Sequence, residues 1–205
     1  MFEPSDTDLM AQVQAGDRAA LGRLLELHQD RLFNIALRMV SNRDDAAEVT
    51  QDAMVKIIQH IDSFRSEAQI TTWMTRIVMN QAITRLRRRK LRDHASLDAS
   101  RPTANGDDQA ASLRQILEDS REPSAELCVE EREMIERLLA AIDRLDSDFR
   151  SVLVLRDLEE MDYQQIADVL EIKVGTVKSR LFRARLALRQ EMMKIAPATV
   201  RHTQD

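Results

Sequence analysis

Apolar residues recur along this chain at three- and four-residue spacing, so the elements the pattern predicts are helices. Leu21, Leu24, Leu25, Leu32, Ile35, Ala36 and Met39 form one such stripe, which predicts a helix from Asp17 to about Val40. Ahead of it, Ser5 with Asp8 three residues on resembles a capping box, and Gly16 can end that short first helix in a left-handed conformation. Ser41 to Arg43 reads as the next turn. Asp44 is then expected to cap a third helix running to about Ile61, with Asp45 and Glu48 against its positive N-terminal end. Ala46, Val49, Ala53 and Ile57 form its apolar side, backed by a polar surface of Glu48, Gln51 and Asp52, with Met54 and Ile58 on a further face. A fourth helix, Thr71 to about Lys90, buries Met74, Val78, Ala82 and Leu86.

The second half repeats the logic in shorter pieces. Ser124 can cap a helix through Leu145, with Leu127, Ile135, Leu138, Leu139 and Ile142 apolar. Asp146 or Ser147 starts another through Val152, Leu153, Leu155 and Leu158. Asp162 with Gln165 is a capping box that opens a short helix, Tyr163 to Leu170, and Glu171, Ile172 and Lys173 make a tight turn. The last helix begins near Val174 and Gly175. A short helix, a tight turn and a basic helix is helix-turn-helix organisation.

Composition agrees with an all-helical chain. Glycine and proline number four each in 205 residues and aromatics make up 3%, which starves turns and strands alike. No run of about 18 apolar residues exists to span a membrane, and MFEPSDTD is not a signal peptide, so a cytoplasmic location is expected. One cysteine, Cys128, cannot form an internal disulfide, and no Cys or His spacing suits zinc, so neither metal nor cofactor is implied.

Charge divides the chain. Residues 1–93 carry 14 Lys and Arg against 13 Asp and Glu, residues 94–130 carry 3 against 8, and residues 131–205 carry 13 against 14. The whole acidic excess lies in the middle, with Pro102, Asn105-Gly106 and Pro123, and reads as a flexible linker. The expected organisation is an N-terminal helical domain (1–93), the acidic linker (94–130), a C-terminal helix-turn-helix domain (131–195) and a tail (196–205). Arg85, Arg87, Arg88, Arg89, Lys90 and Arg92 are six of eight consecutive residues, and Lys178, Arg180, Arg183, Arg185 and Arg189 form a second cluster. Two local basic patches on an acidic chain point to directed contact with a polyanion.

The helical faces sharpen that reading. Trp73, Arg76, Asn80, Thr84, Arg87 and Arg88 fall in one sector about 120° wide of the fourth helix. A Trp beside Asn and several Arg can stack on an exposed base, hydrogen-bond its edge and hold phosphates, with the loop from Ser63 to Ile70 as one wall. On the last helix, Val177, Leu181, Ala184 and Leu188 share a buried face, while Ser179, Phe182, Arg183 and Leu186 lie opposite. Arg183 can bond the O6 and N7 of a guanine, Ser179 can bond either base type and Phe182 can pack on a thymine methyl. Lys178, Arg185 and Arg189 are placed for phosphates.

At these residues a resemblance emerges. The run DFRSVLVLRDLEEMDYQQIADVLEIKVGTVKSRLFRARLAL resembles the C-terminal promoter-binding domain of bacterial sigma factors of the extracytoplasmic-function (ECF) group. DDAAEVTQDAMVKIIQHIDSFR and TTWMTRIVMNQAITRLRRRK resemble that group's N-terminal domain. The resemblance implies that Glu48, Gln51, Asp52 and Met54 dock on the clamp helices of the core RNA polymerase largest subunit. It implies that Trp73, Arg76, Asn80, Thr84, Arg87 and Arg88 read the −10 element as melted single strand, with Asn80 beside a captured base and Trp73 separating the strands. Thr176, Lys178, Ser179, Phe182, Arg183 and Arg185 would meet the −35 element as duplex. The linker would thread toward the polymerase channels, and an anti-sigma protein would be a further partner. Relatives often carry a second aromatic or compact hydrophobic residue in the −10 loop, where this chain reads SEAQIT.

Two other classes stay open at this point. A stand-alone dimeric helix-turn-helix regulator would explain residues 131–195 but leave the Trp73 and Asn80 face idle. A nucleic-acid enzyme lacks its chemistry, since His28, His60, His94 and His202 are scattered and no nucleophile motif is present.

Overall fold

A computed structural model describes residues 4–65, 69–97 and 129–195. Among these residues every regular element is helical. The N-terminal body contains α1 (Asp6–Gln14), α2 (Arg18–Val40), α3 (Arg43–His60) and α4 (Ile70–Leu97), with a single 3-10 turn, Ile61–Ser63, after α3. The C-terminal body contains α5 (Val129–Asp143), α6 (Ser147–Leu153), a π-helical turn (Val154–Leu158), α7 (Tyr163–Leu170) and α8 (Val174–Lys194).

The helix starts are set by side chains that satisfy otherwise orphaned amide groups. Ser5 and Asp8 close the expected capping box on α1, and the Ser5 hydroxyl and amide hold the Asp8 carboxyl below its ordinary range. That contribution is present at neutral pH and is lost as pH falls through the lowered value. Gly16 has φ 93°, the left-handed conformation that ends α1. Asp17 accepts from the amides of Ala19 and Ala20 at 2.8 and 3.2 Å. The cap of α3 is Asn42, not Asp44: its Oδ1 accepts from the Asp45 amide at 2.8 Å, which leaves Asp44 and Asp45 in the first turn. Asp162 and Gln165 close the second capping box as expected.

α2 is the centre of the N-terminal body. Its buried residues Leu24, Leu32, Ile35, Ala36, Leu37 and Met39 pack between α3 and α4, which contribute Val49, Ala53 and Ile57, and Met74, Val78, Met79 and Ala82. Each large buried side chain here contributes about 1.5–3 kcal/mol of burial. His28, on the same stripe, reaches Asp6 of α1 at 2.8 Å. Arg85 of α4 bonds Asp45 at 2.5 Å and Glu48 at 2.6 Å, tying α4 to the start of α3.

Two expectations shift. α4 continues past Lys90 to Leu97, beyond the anticipated end of its domain at residue 93, and α5 is described only from Val129. Ser124, Cys128, residues 98–128 of the linker and the 196–205 tail lie outside the described residues, as do residues 66–68 of the SEAQIT loop. The larger finding is that the two bodies pack together, and their buried apolar residues join a single cluster. No helix among the described residues is long and apolar enough to cross a membrane.

The Asp162 cap yields a direct test. Asp162→Ala should cost about 1 kcal/mol of stability, read as a lower urea midpoint with an unchanged slope.

Candidate nucleic-acid interface

In the C-terminal body the helix-turn-helix is built as expected. α7 packs against α8, and Glu171, at φ 54°, turns the chain between them. Val177, Leu181 and Ala184 are buried, which fixes the rotation of α8 and turns Lys178, Ser179, Phe182 and Arg183 outward. Phe182 is 71% exposed and Leu186 49%, so a large apolar ring stands in water beside a cation. Nothing in the fold needs it there. The Arg183 Nε donates to the Ser179 carbonyl at 3.3 Å, which holds its root along the helix and leaves its end free. Thr176 is half-buried near the helix start.

Two flanking cations are engaged. Arg185 bonds both Asp157 oxygens, at 2.5 and 3.3 Å, and that carboxylate raises the Arg185 pKa. Lys178 lies 5.6 Å above the Tyr163 ring, whose surroundings also include Arg156 at 5.1 Å. Arg189 is exposed.

On α4, Asn80, Thr84, Arg87 and Arg88 are exposed on one face, and Trp73 and Arg76 are half-buried at its start. The Thr84 hydroxyl donates to the Asn80 backbone carbonyl at 2.7 Å, and the Asn80 side chain is exposed at mid-helix. Trp73 stacks at a tilt on Phe64, with ring centroids 5.6 Å apart. Phe64 went unnoticed in the sequence, although it lies just before SEAQIT and gives this loop region its second aromatic. Arg85, counted within the basic run, instead belongs to the α3 to α4 bond network.

On α3, Glu48, Gln51 and Asp52 are exposed and Met54 is half-buried. Val55, 47% exposed, and Ile58, 50%, complete that surface. Val55 lies seven residues after Glu48, two turns along the same face, so its place was readable from spacing.

The sequence reading missed the seam between the bodies. Glu159 has a side chain only 7% exposed and accepts from Arg31 at 3.2 Å and Arg38 at 2.7 Å, two α2 residues two turns apart. Arg150 of α6 is 3% exposed and inserts its guanidinium at the C-terminal end of α2. There it donates to the Met39 carbonyl at 2.6 Å and the Ser41 hydroxyl at 3.4 Å, and bonds the carboxylate and carbonyl of Asp143. Burial pushes the Arg150 pKa down, partly offset by Asp143. Around these two buried groups lies a rim of surface pairs: Arg76 with Glu171, Arg87 with Asp148 at 3.9 Å, and Lys90 with Asp146 at 3.5 Å. Asp148 also holds Arg180 of α8 at 3.0 Å. The signal for Arg150 was present, as a lone cation inside the run FRSVLVL.

Comparison with known proteins agrees with this geometry. The description "Sigma-70 region 2" matches residues 24–92 and "Sigma-70, region 4" matches residues 135–188. The chain is 32% identical to the ECF RNA polymerase sigma factor SigW of Bacillus subtilis over 88% of its own length and 93% of that protein's. It belongs to the ECF sigma factor family. It is also 34% identical to the ECF sigma-E factor of Haemophilus influenzae, covering 88% of this chain and 92% of that one. Among solved structures, this sigma factor shares its fold with RpoE of Bartonella quintana, solved with the anti-sigma factor NepR, at a TM-score of 0.61, 23% identity and coverage of 86% and 98%. It shares it equally with CnrH, solved with the cytosolic domain of CnrY, at a TM-score of 0.61, 22% identity and coverage of 93% and 99%. Region 2 of this sigma factor thus contains α3 and most of α4, and region 4 contains the helix-turn-helix.

Arg150→Ala should destabilise the folded chain by roughly 2–4 kcal/mol, because the α2 end and Asp143 lose their buried donor. Arg150→Lys should recover only part of that, since an ammonium cannot span the same acceptors as a planar guanidinium. Urea unfolding of the two variants checks both.

Proposed function

We propose that this ECF sigma factor directs core RNA polymerase to promoters by reading the −35 element as duplex through α8 and the −10 element as melted single strand through α4. The observation that carries this reading is the presence, in one chain, of two exposed faces of different chemistry. The α8 face offers Ser179, Phe182 and Arg183, with Thr176, Lys178 and Arg185 beside them, which suits base edges in a major groove. The α4 face offers Trp73, Asn80, Thr84, Arg76, Arg87 and Arg88, which suits unstacked bases and the phosphates between them. Because a base outside the stack is read by its own edge, opening and recognition can be one event.

The α3 surface of Glu48, Gln51, Asp52 and Met54, extended by Val55 and Ile58, is the candidate dock for the clamp helices of the polymerase largest subunit. Its mixture of carboxylates, an amide and exposed aliphatic groups fits a protein partner better than a nucleic acid. An anti-sigma protein is a further partner of this reading, by analogy with RpoE of Bartonella quintana, solved with the anti-sigma factor NepR. The chain acts as a specificity subunit with no chemistry of its own. A stand-alone dimeric regulator is not favoured, because the family match extends through residues 24–92, which such a protein would not use.

Size exclusion of the purified chain with core RNA polymerase tests the class, and stable co-elution is the expected result. Binding to duplex DNA as a dimer without polymerase would overturn it. Arg183→Ala should cost about 1–3 kcal/mol of −35 discrimination in duplex binding. Trp73→Ala should leave duplex binding intact and impair promoter opening, read by permanganate reactivity of unpaired thymines. Gln51→Ala with Asp52→Ala should weaken polymerase affinity in a titration while the circular dichroism stays unchanged.

A further inference from the structure

The seam between the bodies has an asymmetry of charge. All three rim cations from the N-terminal body, Arg76, Arg87 and Lys90, are on α4, and all three rim anions, Glu171, Asp148 and Asp146, are on the C-terminal body. Arg76 and Arg87 belong to the face assigned to single-stranded DNA, and Lys90 extends it by one turn. α7 lies against the same helix. On α8, by contrast, Ser179, Phe182 and Arg183 are exposed and no described residue of the N-terminal body pairs with them, with Phe182 71% exposed. In this arrangement Arg76, Arg87 and Lys90 of α4 are paired across the seam with carboxylates of the other body, whereas the paired cations of α8 are held within their own.

We propose that the acidic edge formed by Asp146, Asp148 and Glu171 is an intramolecular partner of the α4 face, which single-stranded DNA must displace. The carboxylates stand where phosphates would stand, and Glu159, clasped by Arg31 and Arg38, holds the edge in place. The clasp is the element that decides. Each rim pair is largely exposed and screened by water and salt, so it exchanges readily for a phosphate. Glu159 is buried and cannot stay there without its two arginines. Closed and open arrangements therefore compete, and only the open one offers α4 to a polyanion. By linkage, the strand that favours the open arrangement must itself open the chain.

The proposal rests on the assignment of α4 to single-stranded DNA, and the test separates the two. Arg38→Glu places an anion against Glu159 and should open the chain, read as a fall in energy transfer between dyes on the two bodies. It also makes the protein more acidic by two charges, which on general electrostatics would weaken DNA binding. The expected result has the opposite sign: affinity for a labelled mixed-sequence single-stranded 30-mer should rise about tenfold or more, which corresponds to a wild-type open fraction of about one tenth or less. Arg38→Glu with Glu159→Arg should restore both the energy transfer and the weak binding, which excludes a loss of fold as the cause. Affinity for a duplex 30-mer should change little.

If Arg38→Glu leaves the energy transfer unchanged, or opens the chain without strengthening single-strand binding, the proposal is wrong. Trp73→Ala with Asn80→Ala in the opened background addresses the underlying assignment. Loss of the gained affinity supports it. A gain that persists without those side chains keeps the displacement and overturns the role of Trp73 and Asn80.

Discussion

The C-terminal end of α2 is the constraint on which the rest of the arrangement depends. A helix end leaves carbonyls without partners, and burying such an end demands donors. Ser41, in the left-handed conformation at φ 56°, turns the chain out of the helix and returns its amide to the Leu37 carbonyl at 2.8 Å. The Met39 carbonyl is satisfied from the other body, by Arg150. A cation at a helix C-terminus also meets the negative end of the helix dipole, so charge and hydrogen bonding act together. One turn back, Arg38 projects toward Glu159, and Arg31 lies on the same face two turns before it. The last three turns of α2 thus hold the C-terminal body through a donor from one side and an acceptor from the other.

The π-helical turn serves that geometry. Val154–Leu158 departs from regular α-helical bonding directly before Glu159, and Glu160 then takes φ 56°, an uncommon conformation for a side chain of its size. Met161 returns its amide to the Leu155 carbonyl at 3.0 Å, and Arg156 donates to the Met161 carbonyl at 2.7 Å. These bonds pin a local irregularity in place, and its product is a glutamate aimed at α2 rather than at solvent. The same segment carries Asp157, which engages Arg185 of α8. One short irregular stretch therefore sets both the clasp and the support of the helix-turn-helix.

Much of this was legible in the sequence, for identifiable reasons. Every expected helix has a described counterpart, because apolar spacing and polar caps are local signals that need no knowledge of the partner. The extent of α7 was readable to the residue from Asp162 and Gln165, and the rotation of α8 from Val177, Leu181 and Ala184. The cap of α3 was misplaced by two residues because Asn42, Asp44 and Asp45 are all competent acceptors and only the turn geometry chooses among them. The spacing left Trp73 open between core and contact, and the ring that half-buries it, Phe64, comes from another element. Most of the seam was not legible. Arg31, Arg38 and Glu159 carry no local signal that sets them apart from other charged residues, and their meaning lies in an approach across more than a hundred residues of chain. Arg150 alone carries a local signal, as a cation inside the run FRSVLVL.

The contrast between the two candidate DNA faces follows from how each is supported. α8 obtains its rotation from a continuous buried stripe within its own body, so Ser179, Phe182 and Arg183 point outward, and the paired cations Arg180 and Arg185 are held by carboxylates of that same body. α4 has duties on more than one side: Met74, Val78 and Ala82 pack the core, Arg85 ties down α3, and Arg76, Arg87 and Lys90 face the other body. Arg76, Arg87 and Lys90, already paired with carboxylates, can take up a nucleic acid only by exchange, and exchange of anion for anion costs far less than exposing bare charge. Polyanions have a further advantage in such an exchange, because each phosphate neutralised releases condensed counterions, whereas a lone carboxylate releases almost none. On α8 the paired cation Arg185 is held by Asp157 of its own body, so contact there does not require the two bodies to part. On the proposed assignment of the two faces, their packing sets an order: α8 can meet duplex with the bodies still together, and α4 becomes available when an extended polyanion outcompetes three dispersed carboxylates.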